Sequence, residues 1–301
     1  MPRRSTWLPR LTLFAALAAA ACDGGDGGGA AGPDAAGPDA APIDAPAIDA
    51  GGLGAACAGG SACASGACVD GVCCDRACDG ACEACSAATT GGADGTCAPA
   101  LAGTACSTYA CDGVAATCPT SCATHADCVR GYACGAASAC VVAKRIFVTS
   151  TMTSGGNLGG LATADAHCGD LATAAGLPGT FKAWLSDGTT SVAQRFTHHA
   201  GPYYRVHEGA VIVVAVDWAD LTNGLDPYAI GNDEHGQPAG ALIWTGTLIT
   251  GAAAANHCRG WTSNSTADVG MRGNSSASFY DWTAYGDGVC DANGRYYCVE
   301  Q

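Results

Sequence analysis

Hydrophobic and polar residues are arranged in four successive textures along the chain. An eleven-residue run from Leu11 to Ala21, interrupted only by Thr12, follows Arg3, Arg4 and Arg10. A basic start followed by a short apolar stretch predicts a signal peptide over 1–21, because a membrane-spanning helix needs roughly 20 apolar residues. From Asp23 to Gly54 nearly every residue is Gly, Ala, Pro or Asp, and Asp34, Asp39, Asp44 and Asp49 recur at a fixed interval. No apolar face exists at any period, so a disordered, extended tether is predicted for 22–54. Between Cys57 and Cys140 the residues separating the cysteines are mainly Ala, Gly, Ser, Thr and Asp. A core cannot be assembled from these, and a crosslinked module is predicted for 55–143.

At Lys144 the pattern becomes globular. Ile146 to Ser150, Phe181 to Ser186, Ala210 to Val216, Ala241 to Thr245 and Arg295 to Val299 are short apolar-rich runs that predict strands. The Ala-rich stretch Leu161 to Ala175 follows a Gly-rich turn and ends at Gly176, with Pro178 beyond, which predicts a helix. One helix among several strands and long polar loops argues an α+β domain over 144–301, long enough for a single hydrophobic core.

The 21 cysteines divide into Cys22, sixteen between Cys57 and Cys140, and the four at 168, 258, 290 and 298. With Cys22 set aside, each block holds an even number, as a disulfide framework requires. Cys82 and Cys85 have a spacing that also suits zinc thiolates, but so dense a block behind an export signal favours disulfides. Spacing does not determine the connectivity of the sixteen. The same cysteine content places the protein in an oxidising compartment.

Ala19-Ala20-Ala21-Cys22 resembles a bacterial lipobox, which implies lipid on Cys22 and attachment to the membrane through that lipid alone. The alternative is ordinary signal-peptidase cleavage at an Ala-x-Ala site. A formal charge of −14, from 13 Lys+Arg against 27 Asp+Glu, excludes the basic stripe that nucleic-acid binding requires. The expected location is the cell envelope, as an outer-membrane or cell-surface lipoprotein.

The run Cys63 to Cys85 is similar to the cysteine-rich repeats of bacterial surface proteins, and Cys122 to Cys134 to short modules of the Dickkopf type. Farther on, Ile146-Phe-Val-Thr-Ser, Gly156-Asn-Leu-Gly-Gly-Leu-Ala, Ala164-Asp-Ala-His-Cys168, Ala183-Trp-Leu-Ser-Asp187, Trp244-Thr-Gly-Thr247, Cys258-Arg-Gly-Trp-Thr-Ser263 and Tyr297-Cys-Val-Glu-Gln301 together resemble a family of bacterial surface lipoproteins. That family is related to the endostatin domain of collagens and implies a C-type lectin-like fold. The resemblance implies nested disulfides, Cys168 with Cys298 and Cys258 with Cys290. It also implies a surface for extracellular proteins rather than an active site.

Heparin recognition and zinc binding, known for endostatin, do not carry over: acidic residues outnumber basic ones in 144–301, and the domain starts without histidine. Sugar-binding lectins of this fold hold calcium through two triplets, of which Gln237, Pro238 and Asp287 match here. The calcium set to be examined is therefore Asp226, Asp233, Glu234, Gln237 and Asp287, with Asn232 in the same loop.

For catalysis, His198, His199 and His207 lie in sequence near Asp187 and Glu208, but there is neither a Gly-x-Ser-x-Gly elbow nor a His-Glu-x-x-His helix. His167 is expected to face solvent, and His235 and His257 to sit beside turns, or to join a metal site if folding brings them together. Trp218, Tyr228, Trp261 and Tyr280 are the candidates for an exposed aromatic patch. The sequence thus points to a non-catalytic binding or adhesion module for an extracellular protein or glycan. A calcium-dependent glycan-binding lectin and a structural envelope protein are the alternatives.

Overall fold

A computed structural model describes residues 50–207, 211–224 and 228–301. The signal sequence, Cys22, the tether up to residue 49, Glu208 and Asp226 lie outside the described residues. The described residues belong to a single compact unit.

The cysteine-rich part is a row of small hairpins, at Cys68–Val69 with Val72–Cys73, Glu83–Ala84 with Ala98–Pro99, Ala105–Cys106 with Tyr109–Ala110, and Tyr132–Cys134 with Cys140–Val142. Eight disulfides staple them: 57–68, 63–73, 74–85, 78–97, 82–111, 106–118, 122–134 and 128–140. No bond crosses between the groups 57–73, 74–118 and 122–140, so the module is a chain of three locally closed knots. Its small apolar clusters consist almost entirely of Cys, Ala and Val. With so little apolar area to bury, the crosslinks supply the constraint that a core supplies elsewhere.

The last hairpin runs directly into a mixed α+β body. Its elements are β1 (Lys144–Val148), α1 (Leu161–Ala174), β2 (Phe181–Ala183), β3 (Tyr203–Arg205), β4 (Ile212–Ala215), β5 (Leu242–Trp244), β6 (Val269–Asn274), β7 (Gly286–Val289) and β8 (Tyr297–Glu300). Five strands form one sheet in the order β2-β8-β1-β3-β4, with β1 and β3 parallel and the other pairs antiparallel. The first and last strands are thus hydrogen-bonded neighbours, Phe147 opposite Cys298. Strands β5, β6 and β7 make a second, antiparallel sheet.

Each expected strand overlaps an observed one: β2, β4, β5 and β8 are shorter than expected, β1 is displaced two residues toward the N-terminus, and β3, β6 and β7 have no expected counterpart. Strand β2 ends at Ala183: Trp184 N still donates to Tyr297 O of β8, and Ser186 N then donates to Thr245 O, just past β5, which hands the chain to the second sheet. Helix α1 buries Ala164, Cys168 and Ala172, a stripe at i, i+4 and i+8, and it ends before Gly176, whose φ of 67° no continuing helix adopts. That stripe offers two methyl groups and a sulfur. Partly buried Leu161 and Leu171 add to it, and the helix is held further by Cys168–Cys298 and by Asp165, which accepts from Ala183 N at 2.8 Å and pairs with Arg195.

The core is aromatic. Trp184, Trp244, Trp261, Trp282, Tyr296, Tyr297 and Phe147 are all fully buried. Trp184 and Trp282 have ring centroids 4.8 Å apart, and Trp282 lies 5.3 Å from Tyr297. Two strand glycines make room for this packing. A Cβ on Gly273 would lie 1.9 Å from Trp282 O, and one on Gly288 would meet the Arg272 guanidinium, which lies over the Trp244 ring.

Candidate binding surface

In the segment 279–285 exposed rings flank a buried pair, Trp282 and Thr283. Trp282 is buried, and its carbonyl accepts from Tyr297 Oη at 2.9 Å. Thr283 Oγ1 accepts from Trp184 Nε1 at 2.8 Å and donates to Thr247 O at 3.2 Å, while Thr245 Oγ1 donates to Thr283 O at 2.6 Å. Ser186 and Thr247 hydroxyls, 2.9 Å apart, continue this buried network. With the loop pinned from beneath, Phe279, Tyr280 and Tyr285 face outward, each about 60 % exposed. Phe279 has φ 55°, a left-handed backbone that costs a bulky residue about 1–2 kcal/mol and persists only where the surroundings enforce it. The segment around Gly224 approaches it, since a Cβ on Gly224 would lie 3.3 Å from Phe279 Cα. Tyr228, in the loop that follows, is half exposed.

The four aromatic candidates therefore separate. Tyr228 and Tyr280 are exposed. Trp218 is half-buried, stacked on His198 at 4.2 Å and tilted against Trp184 at 5.8 Å. Trp261 is fully buried and donates from Nε1 to Ser186 O at 2.9 Å, so it is a core residue and not a contact residue. The reason is local: residues 258–261 all have positive φ, and this left-handed turn, crosslinked through Cys258–Cys290, rolls the indole inward. Phe279 and Tyr285 were not anticipated. Their signal was present as three aromatics, Phe279, Tyr280 and Trp282, within four residues, but nothing in it distinguishes the buried one from the exposed ones.

Among the described residues, the members of the proposed calcium set are not gathered into one place. Asp233 Oδ1 accepts from His235 N at 3.0 Å and Gln237 N at 2.9 Å, closing its own turn. Glu234 is buried and turns inward, accepting from Ser150 N at 3.0 Å and from the Ser150 hydroxyl. Asp287 lies on β7 and accepts from Asn256 Nδ2 at 2.7 Å. Among the described residues, the groups of three or more His, Cys, Asp or Glu whose ligand atoms converge are all cysteine groups. Each of those sulfurs is committed to a disulfide and is no longer a thiolate ligand. Cys168 is bonded to Cys298, and Cys258 to Cys290.

The histidines make local structural contacts. His167 does not simply face solvent: its Nδ1 is hydrogen-bonded to Tyr296 Oη, and its Nε2 lies 3.3 Å from Thr151 Oγ1. His198 Nε2 reaches Ala193 O at 2.8 Å, and His199 Nε2 reaches Val142 O at 3.0 Å. His257 Nδ1 accepts from Gly260 N at 2.8 Å and so closes the left-handed turn.

The chain matches none of the protein-family models scanned, and a search of curated proteins gives no significant match.

Proposed function

We propose that this protein is an exported surface lipoprotein, anchored at Cys22, whose endostatin-like, C-type lectin-like body recognises an extracellular protein without turning it over. The observation that carries the reading is the outward display of Phe279, Tyr280 and Tyr285 on a loop whose Trp282 and Thr283 are locked in the core. Rigid exposed aromatics lose little entropy on binding and are the residue type most enriched among interface anchors. Tyr228 is a further exposed aromatic. A charge of −14 favours a basic partner, because complementary fields accelerate encounter. Ten disulfides require an oxidising compartment, in keeping with export and with the fold the resemblance implies.

The test is binding of the oxidised chain to a panel of immobilised basic and acidic extracellular matrix proteins, repeated with Phe279→Ala, Tyr280→Ala and Tyr285→Ala. The expected result is salt-sensitive binding to a basic member, weakened about tenfold or more by at least one substitution. Binding that is unchanged in all three variants, or no binding across the panel, would overturn the reading.

A further inference from the structure

The eight disulfides of the cysteine-rich part fall into four couples. In each couple both sulfurs of one bond and one sulfur of the other lie within 4.8 Å of one another: bond 57–68 with Cys63, bond 74–85 with Cys78, bond 82–111 with Cys106, and bond 128–140 with Cys122. That third sulfur is bonded to Cys73, Cys97, Cys118 and Cys134 respectively, so every bond of the module belongs to one couple. Among the described residues, the two bonds of the α+β body enter no such group.

The couples differ in how they meet solvent. Cys82, Cys106 and Cys111 are buried in one small cluster with Ala84 and Ala100, whereas Cys118 is only partly buried at its margin. Cys118 closes an outer loop in which Val114 is 79 % exposed and Asp112 Oδ1 accepts from Val114 N at 2.8 Å and Ala115 N at 2.7 Å. A thiol from outside therefore meets this couple at Cys118. Its thiolate forms a bond to Cys118 Sγ, breaks the bond to Cys106 and expels Cys106 as a thiolate. Beside an isolated disulfide the expelled thiolate has one target, the mixed disulfide, and its return attack ejects the newcomer. Here a second target, the 82–111 bond, is already alongside. Attack by Cys106 on Cys82 or Cys111 makes a new bond and leaves the other of the two as a thiolate, which takes the proton lost by the incoming thiol. Two disulfides are present before and after, so no oxidant or reductant is consumed. The couple of 122–134 with 128–140 repeats the arrangement, with Cys134 partly exposed and Cys122 buried.

We propose that the cysteine-rich part captures an external thiol covalently at Cys118 and retains it because the freed Cys106 is drawn into the neighbouring 82–111 bond. The ligand class is a thiol, carried by a small molecule or by an exposed cysteine of another protein.

The experiment uses the oxidised full chain with reduced glutathione, and separately with a folded protein bearing one exposed cysteine, at a pH of about 8.5, where an ordinary thiol is half ionised. Acid quenching, alkylation and peptide mass spectrometry then map every sulfur. The expected product carries the adduct on Cys118, alkylation on Cys82 or Cys111, and a new bond from Cys106 to the other. Capture of both probes assigns the site to protein thiols as well, and capture of glutathione alone assigns it to small thiols. Cys118→Ala isolates the second step without any added thiol: alkylation should shift from Cys106 onto Cys82 and Cys111, while in the control Cys290→Ala it should stay on Cys258. Removing the second target with Cys82→Ala and Cys111→Ala should abolish the retained adduct. Alkylation confined to Cys106 in Cys118→Ala, an adduct formed with the 82–111 bond intact, or no adduct on Cys118 would each overturn the proposal.

Discussion

Removal of the Cys168–Cys298 bond should be the most damaging single change to the body of the protein, and its cost can be worked from the topology. The bond closes a loop of 130 residues, whereas Cys258–Cys290 closes one of 32 inside it. With the inner bond intact, the outer loop has an effective length of about 100 residues, and the chain-entropy relation gives about 4.7 kcal/mol for constraining it. Besides this bond α1 is attached by Asp165, by His167 and by the partly buried Leu161 and Leu171, while its fully buried stripe is only two alanines and the cysteine itself. For a compact unit of this size each kcal/mol shifts the midpoint by about 2–4 °C, so Cys168→Ala with Cys298→Ala should lower Tm by roughly 10–20 °C. Urea unfolding of the same double variant should show a larger m-value, because the uncrosslinked unfolded chain exposes more surface. A loss below about 2 kcal/mol would refute the claim that the bond, rather than side-chain packing, holds the helix. A full loss with an unchanged m-value would refute the claim that it acts on the unfolded chain.

Three further outcomes follow from particular contacts. Burial pushes the phenols of Tyr203, to about 12, and of Tyr204, Tyr296 and Tyr297 upward. Below the ordinary tyrosine pKa of about 10 the phenols are protonated in both states; above it the unfolded chain releases protons that the folded chain retains. Stability should therefore fall as pH rises from about 10 to 12, and these four phenols should give no ionisation absorbance until the chain unfolds; titration of all nine tyrosines before unfolding would contradict this. Asp165→Ala should cost about 2–3 kcal/mol in urea unfolding by leaving Arg195, only 10 % exposed, without its carboxylate, and Asp165→Asn should cost less because an amide oxygen still accepts from Ala183 N. An equal cost for both would sink the argument. Gly273→Ala should lower Tm more than Gly288→Ala, since the first methyl meets the Trp282 backbone and the second the movable end of Arg272; the reverse order in thermal melts would be evidence against the packing described.

Strands with a continuous apolar signature were legible in the chain, and those made of glycine were not. Residues 146–148 and the helix beginning at Leu161 carry their own local patterns, and both lie within the elements observed. Strands β6 and β7, Val-Gly-Met-Arg-Gly-Asn and Gly-Asp-Gly-Val, carry none. Their glycines are required by neighbours distant in sequence: Gly273 by the Trp282 carbonyl, Gly288 by Arg272. A pattern that exists to make room for something else is invisible until that something is placed. The short strand β3 is illegible for a related reason, because three residues inside a sheet need no periodicity when strands on both sides hold them.

The candidate surface was half legible on the same grounds. Trp261 and Phe279 each sit beside polar residues in a loop, and local composition offers no reason to bury one and expose the other. What separates them is backbone handedness at each ring. At 258–261 four successive positive φ angles, closed by His257 Nδ1 and crosslinked to Cys290, turn the indole beneath the chain. At 279 a single positive φ, followed by the buried Trp282, turns the phenyl ring out. Non-glycine residues adopt that conformation only under tertiary constraint. Relieving it with Phe279→Gly would therefore remove the ring and the strain together, whereas Phe279→Ala removes the ring and keeps the strained backbone. The glycine variant should be the more stable of the two by about 1 kcal/mol while losing the same binding. Equal stability would mean that residue 279 is not strained, and retained binding would mean that its ring is not a contact.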